Sequence, residues 1–146
     1  MIQLSEQRPH IRLEWRPYEE FIWDISLAAT NGSFSGAQVF YADPQDLARF
    51  GRELASFPSQ AYRETRFELG SPEGNWAYFV LIRAYLYNPV GHAAIEISID
   101  NREPDERAAK TTFQILCEVA GLNRLGDGLL QWVTNPREPF IWSPTW

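Results

Sequence analysis

The chain has 146 residues, 45% hydrophobic and 14% aromatic. That is enough apolar surface for one domain burying roughly 70% of the area an extended chain exposes, and too much for a disordered segment. A net charge of −6, with Lys110 the single lysine and the arginines scattered, argues against a nucleic-acid surface, which draws on clustered cations, and suits a basic protein partner better.

Cys117 stands alone, so no internal disulfide framework is available and a reducing compartment is expected. The first residues lack the basic and then apolar regions of a secretory leader, which makes the cytoplasm the expected location. The longest apolar run, 76–86, is interrupted by Arg83 and is too short to cross a bilayer as a helix.

In chain order, residues 1–9 are expected to be a flexible lead. Ile11, Leu13 and Trp15 then alternate with Arg12 and Glu14, the period of a half-buried strand. A second alternating run, Phe21, Trp23, Ile25 and Leu27, ends at Asn31-Gly32, a two-residue hairpin signal, and a third strand follows over 34–41. Asn31-Gly32-Ser33 also matches a glycosylation sequon, read here as the turn. Asp43-Pro44 supplies an N-cap and a first-turn proline, and Leu47, Phe50, Leu54 and Phe57 recur at helical spacing until Pro58.

Residues 65–69 read as a short strand. A turn cluster over 70–75 precedes the longest strand, 76–87. Asn88-Pro89-Val90-Gly91 is a type I turn sequence leading into a strand that alternates Ile95, Ile97 and Ile99 with Glu96, Ser98 and Asp100. From Pro104, the stripe Ala109, Thr112, Phe113, Leu116 and Ala120 with Gly121 at its end predicts a second helix. Residues 122–132 read as another short helix, weakened by Gly126 and Gly128. Residues 133–146 hold three prolines among Phe140, Ile141, Trp142 and Trp146, too apolar for a free tail and expected to dock.

The expected fold is thus a single α+β domain over 1–146. Its order is βββα-βββα, with a two-layer, about six-stranded antiparallel sheet and both main helices on one face. The opposite face is then open. If Asn88 pairs with Gly91, that face presents Phe79, Leu81, Arg83, Tyr85 and Tyr87 beside Asp100, Ser98, Glu96, Ala94 and His92, with Arg83 across from Glu96. A bulge at Gly91 would shift the register by one and oppose Arg83 to Ile97. Hydrophobic matching favours the first arrangement. Phe79, Arg83, Tyr85, Tyr87, His92 and Glu96 are the candidate binding residues, since aromatics and arginine are enriched at recognition surfaces. The docked tail, a second copy or another partner could cover them.

Catalytic and metal chemistry find little footing, and no cofactor is expected. His10, His92 and Cys117 fall on separate elements and do not make a zinc ligand set. Glu96 and Asp100 lie about 13 Å apart along a strand, beyond the roughly 5 to 9.5 Å of a carboxylate pair. His92 and Ser98 are about 20 Å apart, too far for a base and its nucleophile. Cys117, on an inner stripe, is expected to be an inert thiol. The two glycines of 121–127 have phosphate-loop spacing, but Asp127 stands where lysine is required. Asp100, Glu103, Asp105 and Glu106 lack a calcium-loop pattern. Asp24 interrupts an apolar strand and is read as lying on its solvated alternate face.

The hairpin ending in Asn88-Pro89-Val90-Gly91-His92 resembles that of small bacterial single-domain proteins of unknown function whose central turn reads Asp/Asn-x-x-Gly-His. Some small acidic proteins of this kind serve as immunity proteins. The resemblance implies a non-enzymatic protein-binding module, of inhibitor or immunity type. Two other readings stand beside it: a small enzyme or ligand-binding domain with a pocket of Arg83, Tyr85 and His92 between sheet and tail, and a structural homodimer through the open face. No membrane partner is expected.

Overall fold

The computed structural model describes residues 8–60, 63–74 and 76–145. Most of the expected mobile lead, 1–9, therefore lies outside the described residues, as do part of the 70–75 turn and the end of the tail.

The architecture is α+β, but the single six-stranded sheet expected from sequence is replaced by two four-stranded antiparallel sheets. His10–Arg16 (β1), Trp23–Thr30 (β2) and Ser35–Ala42 (β3) form a meander whose alternation turns Leu13, Ile25, Leu27 and Phe40 into the core. The second strand begins at Trp23, leaving Phe21 exposed ahead of it. The β2–β3 turn is tight, with Gly32 (φ 98°) and Ser33 at its bend. Asn31 caps it: its Oδ1 accepts from the backbone N–H of Ser33 at 2.9 Å and of Phe34 at 2.8 Å.

Helix α1, Pro44–Ala55, starts where the sequence places it, with the Asp43 carboxylate accepting from the Gln45 N–H at 2.8 Å. Its buried stripe is Leu47, Phe50, Gly51 and Leu54. The second sheet follows. Glu64–Leu69 (β4), Phe79–Leu86 (β5) and His92–Asp100 (β6) pair in sequence order. The unshifted register holds: Val80 faces Ile99, Ile82 faces Ile97, Arg83 faces Glu96 and Ala84 faces Ile95. Gly91 (φ 91°) takes a left-handed conformation at the turn, and Asn88 Oδ1 accepts from the Val90 and His92 N–H groups.

The helix expected over 104–121 is not there. Asp105–Arg107 makes one 3₁₀ turn, and Lys110–Glu118 is a strand, β7, paired along its whole length with β6. The stripe that reads as helical also reads at period two, with Phe113 and Ile115 inward and Thr112, Gln114 and Leu116 outward. Thr111, Thr112 and Ile115 are β-branched and favour the extended form when an unpaired sheet edge is available.

Helix α2 is Val119–Thr134 and runs through Gly121, Gly126 and Gly128. The glycines that weaken it as an isolated helix fit its packing. A Cβ on Gly126 would lie 2.3 Å from the Ala55 nitrogen, and one on Gly128 would lie 2.7 Å from Cε1 of Phe140. The tail then returns as β8, Phe140–Trp142, paired with β1. The Trp142 indole donates to the Gly121 carbonyl at 3.0 Å.

The sheet orders are β8-β1-β2-β3 and β4-β5-β6-β7. β8 thus holds beside β1 the place that β4 holds beside β5. The repeat is four strands and a helix rather than βββα, with the first sheet completed by the last strand. α1 and α2 pack on each other, and the core joins the inner faces of both sheets with both helices. Three outer edges are blunted. Tyr41 donates its N–H to the Tyr78 hydroxyl, and the Asn31 amide donates to the Gln114 carbonyl. Arg49 donates to the Arg66 carbonyl.

Candidate interaction surface

Alternation along β4 to β7 puts one set of side chains inside and leaves the other on an outward face with no helix over it. Cross-strand pairing sets the rows of that face. One row is Arg66, Arg83, Glu96 and Gln114, and the next is Glu64, Tyr85, Ala94 and Leu116. Arg83 is its centre. Its Nε and Nη2 donate to Glu96 Oε1 at 2.9 and 2.7 Å, and Nη1 donates to Glu64 Oε2 at 2.8 Å. The guanidinium carbon sits 4.0 Å from the centre of the Tyr85 ring. Partial burial alone would lower the Arg83 pKa, but the bonds from Glu64 and Glu96 outweigh it and raise it. The Arg83 bond in turn lowers the pKa of Glu64.

Tyr87 and His92 sit together at the hairpin end, rings stacked with centroids 6.0 Å apart, and Asn88 Nδ2 lies 2.7 Å from His92 Nδ1. Phe79 is different. It is only 6% exposed and lies at the far end of the face, near Pro72 and Thr112. Arg102 holds the loop above it by donating to the Gly74 and Ser71 carbonyls. Five of the six residues singled out from sequence therefore lie along the accessible part of the face, and Phe79 lies beneath a loop.

Among the described residues, the tail runs along the other sheet, where β8 forms the outer edge beside β1. Cys117 is partly buried, and burial, with Glu118 nearby, pushes its pKa up to about 12. His10 Nδ1 lies 2.8 Å from the Arg8 carbonyl. No group of three or more metal-ligating side chains occurs among the described residues. No helix among them is long and apolar enough to cross a membrane.

Asp24 does lie on the outward side of β2, in one row with Arg16 and Tyr41, but it is not solvated. Its side chain is 14% exposed, it meets Arg16 at 3.5 Å, and its Oδ1 is buried with no donor. Its cross-strand neighbours on that face are Arg16 and Tyr41.

Reasoning from sequence missed a second feature on this outward face of the first sheet. The rows Glu14-Ser26-Val39 and Arg12-Ala28-Ala37 place small side chains at the middle of the sheet. Asn101 and Glu103 lie beyond β3, and the open depression they border measures about 510 Å³. The small residues were legible in the alternation. The approach of residue 103 was not, because it depends on 110–118 being a strand.

No family model matches the chain, and no curated protein does. Among solved structures, the plant transcriptional regulator PBF-2 is similar over 89% of this chain and 82% of that one, at 11% identity and a TM-score of 0.43. A likeness that distant says nothing about what this chain binds.

Proposed function

We propose that the protein is a non-enzymatic module that binds a protein of basic charge through the outer face of β4 to β7, in the manner of an inhibitor or immunity protein. The observation that carries this reading is the Arg83 arrangement: a guanidinium fixed by two carboxylates and an aromatic ring on the accessible part of that face. A fixed polar centre flanked by Tyr85, Tyr87 and exposed Leu116 has the make-up of a recognition surface, where rigid aromatics bury area at low entropic cost. The same face carries Glu64, Glu68, Glu96, Asp100 and Glu118 against Arg66, Arg83 and Lys110, an excess of acid in keeping with the overall charge of −6. That excess favours a basic partner and disfavours a second copy laid on the same face.

The test is capture from the native cell extract at near-physiological salt, with wild-type and Arg83→Ala protein side by side. A partner retained by wild type and lost by the variant, with the melting temperature within a few degrees, supports the reading. Equal retention by both, or a measured molar mass of a dimer that Arg83→Ala dissolves, overturns it.

A further inference from the structure

The outer edge of the second sheet is β7, a strand of nine residues. Its hydrogen-bond phase follows from one bond where the β6–β7 ladder begins: Asn101 donates its N–H to the Ala109 carbonyl at 3.0 Å. Alternation then gives the backbone groups of Thr111, Phe113, Ile115 and Cys117 to β6, and turns those of Lys110, Thr112, Gln114, Leu116 and Glu118 toward the free edge. The Gln114 carbonyl accepts from the Asn31 amide at 3.2 Å on that side. Among the described residues, this is the one bond made to an outward backbone group of Thr112, Gln114 or Leu116. The other edges are shorter or more occupied: β8 has three residues, Tyr78 and Gln38 hold groups of β3, and Arg49 crosses β4.

Edge strands are ordinarily guarded by proline, bulges or a charge in mid-strand. β7 has none of these. Its only charges are Lys110 and Glu118, opposite in sign, exposed, and placed at its two ends. Laid antiparallel on a second copy and centred on Gln114, the strand complements itself. Gln114 meets Gln114, Thr112 meets Leu116, and Lys110 meets Glu118. Every residue in these pairs has its backbone groups turned outward, so each pair exchanges N–H and C=O bonds, and the end pairs set opposite charges side by side. A slip of one residue would offer groups already bonded to β6. A slip of two would leave both charges unmatched, and a parallel copy in register would set Lys110 against Lys110.

We propose that two copies of this chain pair antiparallel through β7, with the two-fold axis at Gln114. The Gln114 carbonyl has a second lone pair for the incoming N–H, so the Asn31 amide stays in place. Leu116, 62% exposed, packs beside Thr112 of the second copy. The axis runs normal to the sheet, so the two β4 to β7 faces lie on the same side and continue into each other. The pairing uses the edge and leaves the acidic face free, and it stands whether or not that face binds a basic protein.

The test combines sedimentation equilibrium with amide hydrogen exchange read by NMR, both on the full chain. A single strand pair is a small interface, so the 16.9 kDa chain should dimerise reversibly with a midpoint on the order of 10 µM. The Thr112, Gln114 and Leu116 amides should gain protection as the dimer forms. Lys110→Glu should raise the midpoint at least about tenfold, and Lys110→Glu/Glu118→Lys should bring it back to within about threefold of wild type, with melting temperatures showing that both variants fold. A chain that stays monomeric to about 1 mM, or a dimer in which those three amides gain no protection, overturns the proposal. So does a Lys110→Glu chain that dimerises as well as wild type. Arg83→Ala should leave the midpoint unchanged. A dimer that this variant dissolves would be joined through the Arg83 face, which overturns the edge pairing.

Discussion

Gly51 and Gly126 face each other where α1 crosses α2, so closely that a methyl group on Gly126 would sit 2.5 Å from the Gly51 carbonyl oxygen and 2.3 Å from the Ala55 nitrogen. Both obstacles are backbone atoms and cannot swing aside. Alanine gains about 1 kcal/mol of helix propensity over glycine, but forcing the helices apart costs more than that. We expect Gly126→Ala to lose about 2 kcal/mol and roughly 4–8 °C of Tm, read by thermal and urea melts. A Tm at or above wild type would mean that the helices separate freely. Gly128→Ala meets the movable Phe140 ring instead and should lose less.

The indole of Trp142 ties β8 to α2 through the Gly121 carbonyl, and both groups are buried. Trp142→Phe keeps an aromatic ring in the core but removes the indole's bond to a carbonyl that still accepts within helix α2, at a cost of about 0.5–1.5 kcal/mol. Urea unfolding should show the loss with little change in slope. An unchanged midpoint would mean that another donor replaces the indole.

Glu64 has a pKa below the ordinary carboxylate value because Arg83 bonds its charged form. A carboxylate depressed in the folded state stabilises it above the unfolded pKa, and that contribution is lost as the pH falls through the lower folded value. Glu64→Gln should therefore be less stable than wild type at pH 7, by under about 1 kcal/mol because the pair is solvent-screened. The two proteins should converge as the pH drops well below 4.5. Urea midpoints at neutral and acidic pH test this, and a difference that persists in acid would assign the effect to packing.

Cys117 is held as a thiol by burial, with a pKa of about 12 against an ordinary 9.0. Between those values the unfolded chain ionises and the folded one does not, so stability falls as the pH rises through this window. At pH 8, iodoacetamide should label the native protein about a hundredfold more slowly than the urea-unfolded chain. Comparable rates would mean that the thiol is accessible and ionised in the fold.

Much of the fold could be read from local pattern, and what could not turns on pairing over distance. Asp43-Pro44 and Pro58 bracket α1 because capping and proline sterics act within a turn. The Ile95, Ile97, Ile99 alternation fixed the β5–β6 register for a similar reason, since a slip of one would have turned isoleucines outward. Residues 110–118 carry both periods, and only the free edge of β6 decides between them. Gly126 counts against a helix in sequence and is required by one in the fold, because its function is to admit Gly51, 75 positions earlier. The Arg83 and Glu96 pair follows from register alone. Glu64, which completes the grip on Arg83, lies one residue ahead of the strand expected over 65–69.

The placement of β8 also sets an order of events during synthesis. β1, β2 and β3 leave the ribosome first, yet the outer edge of β1 stays unpaired until residues 140–142 arrive. The second sheet, by contrast, draws its four strands from one continuous stretch, 64–118, and can close on local contacts. The sheet that is made first is thus finished last. Until residues 140–142 emerge, the nascent chain exposes a bare strand edge of the kind that chaperones shield and that neighbouring chains on a polysome can capture.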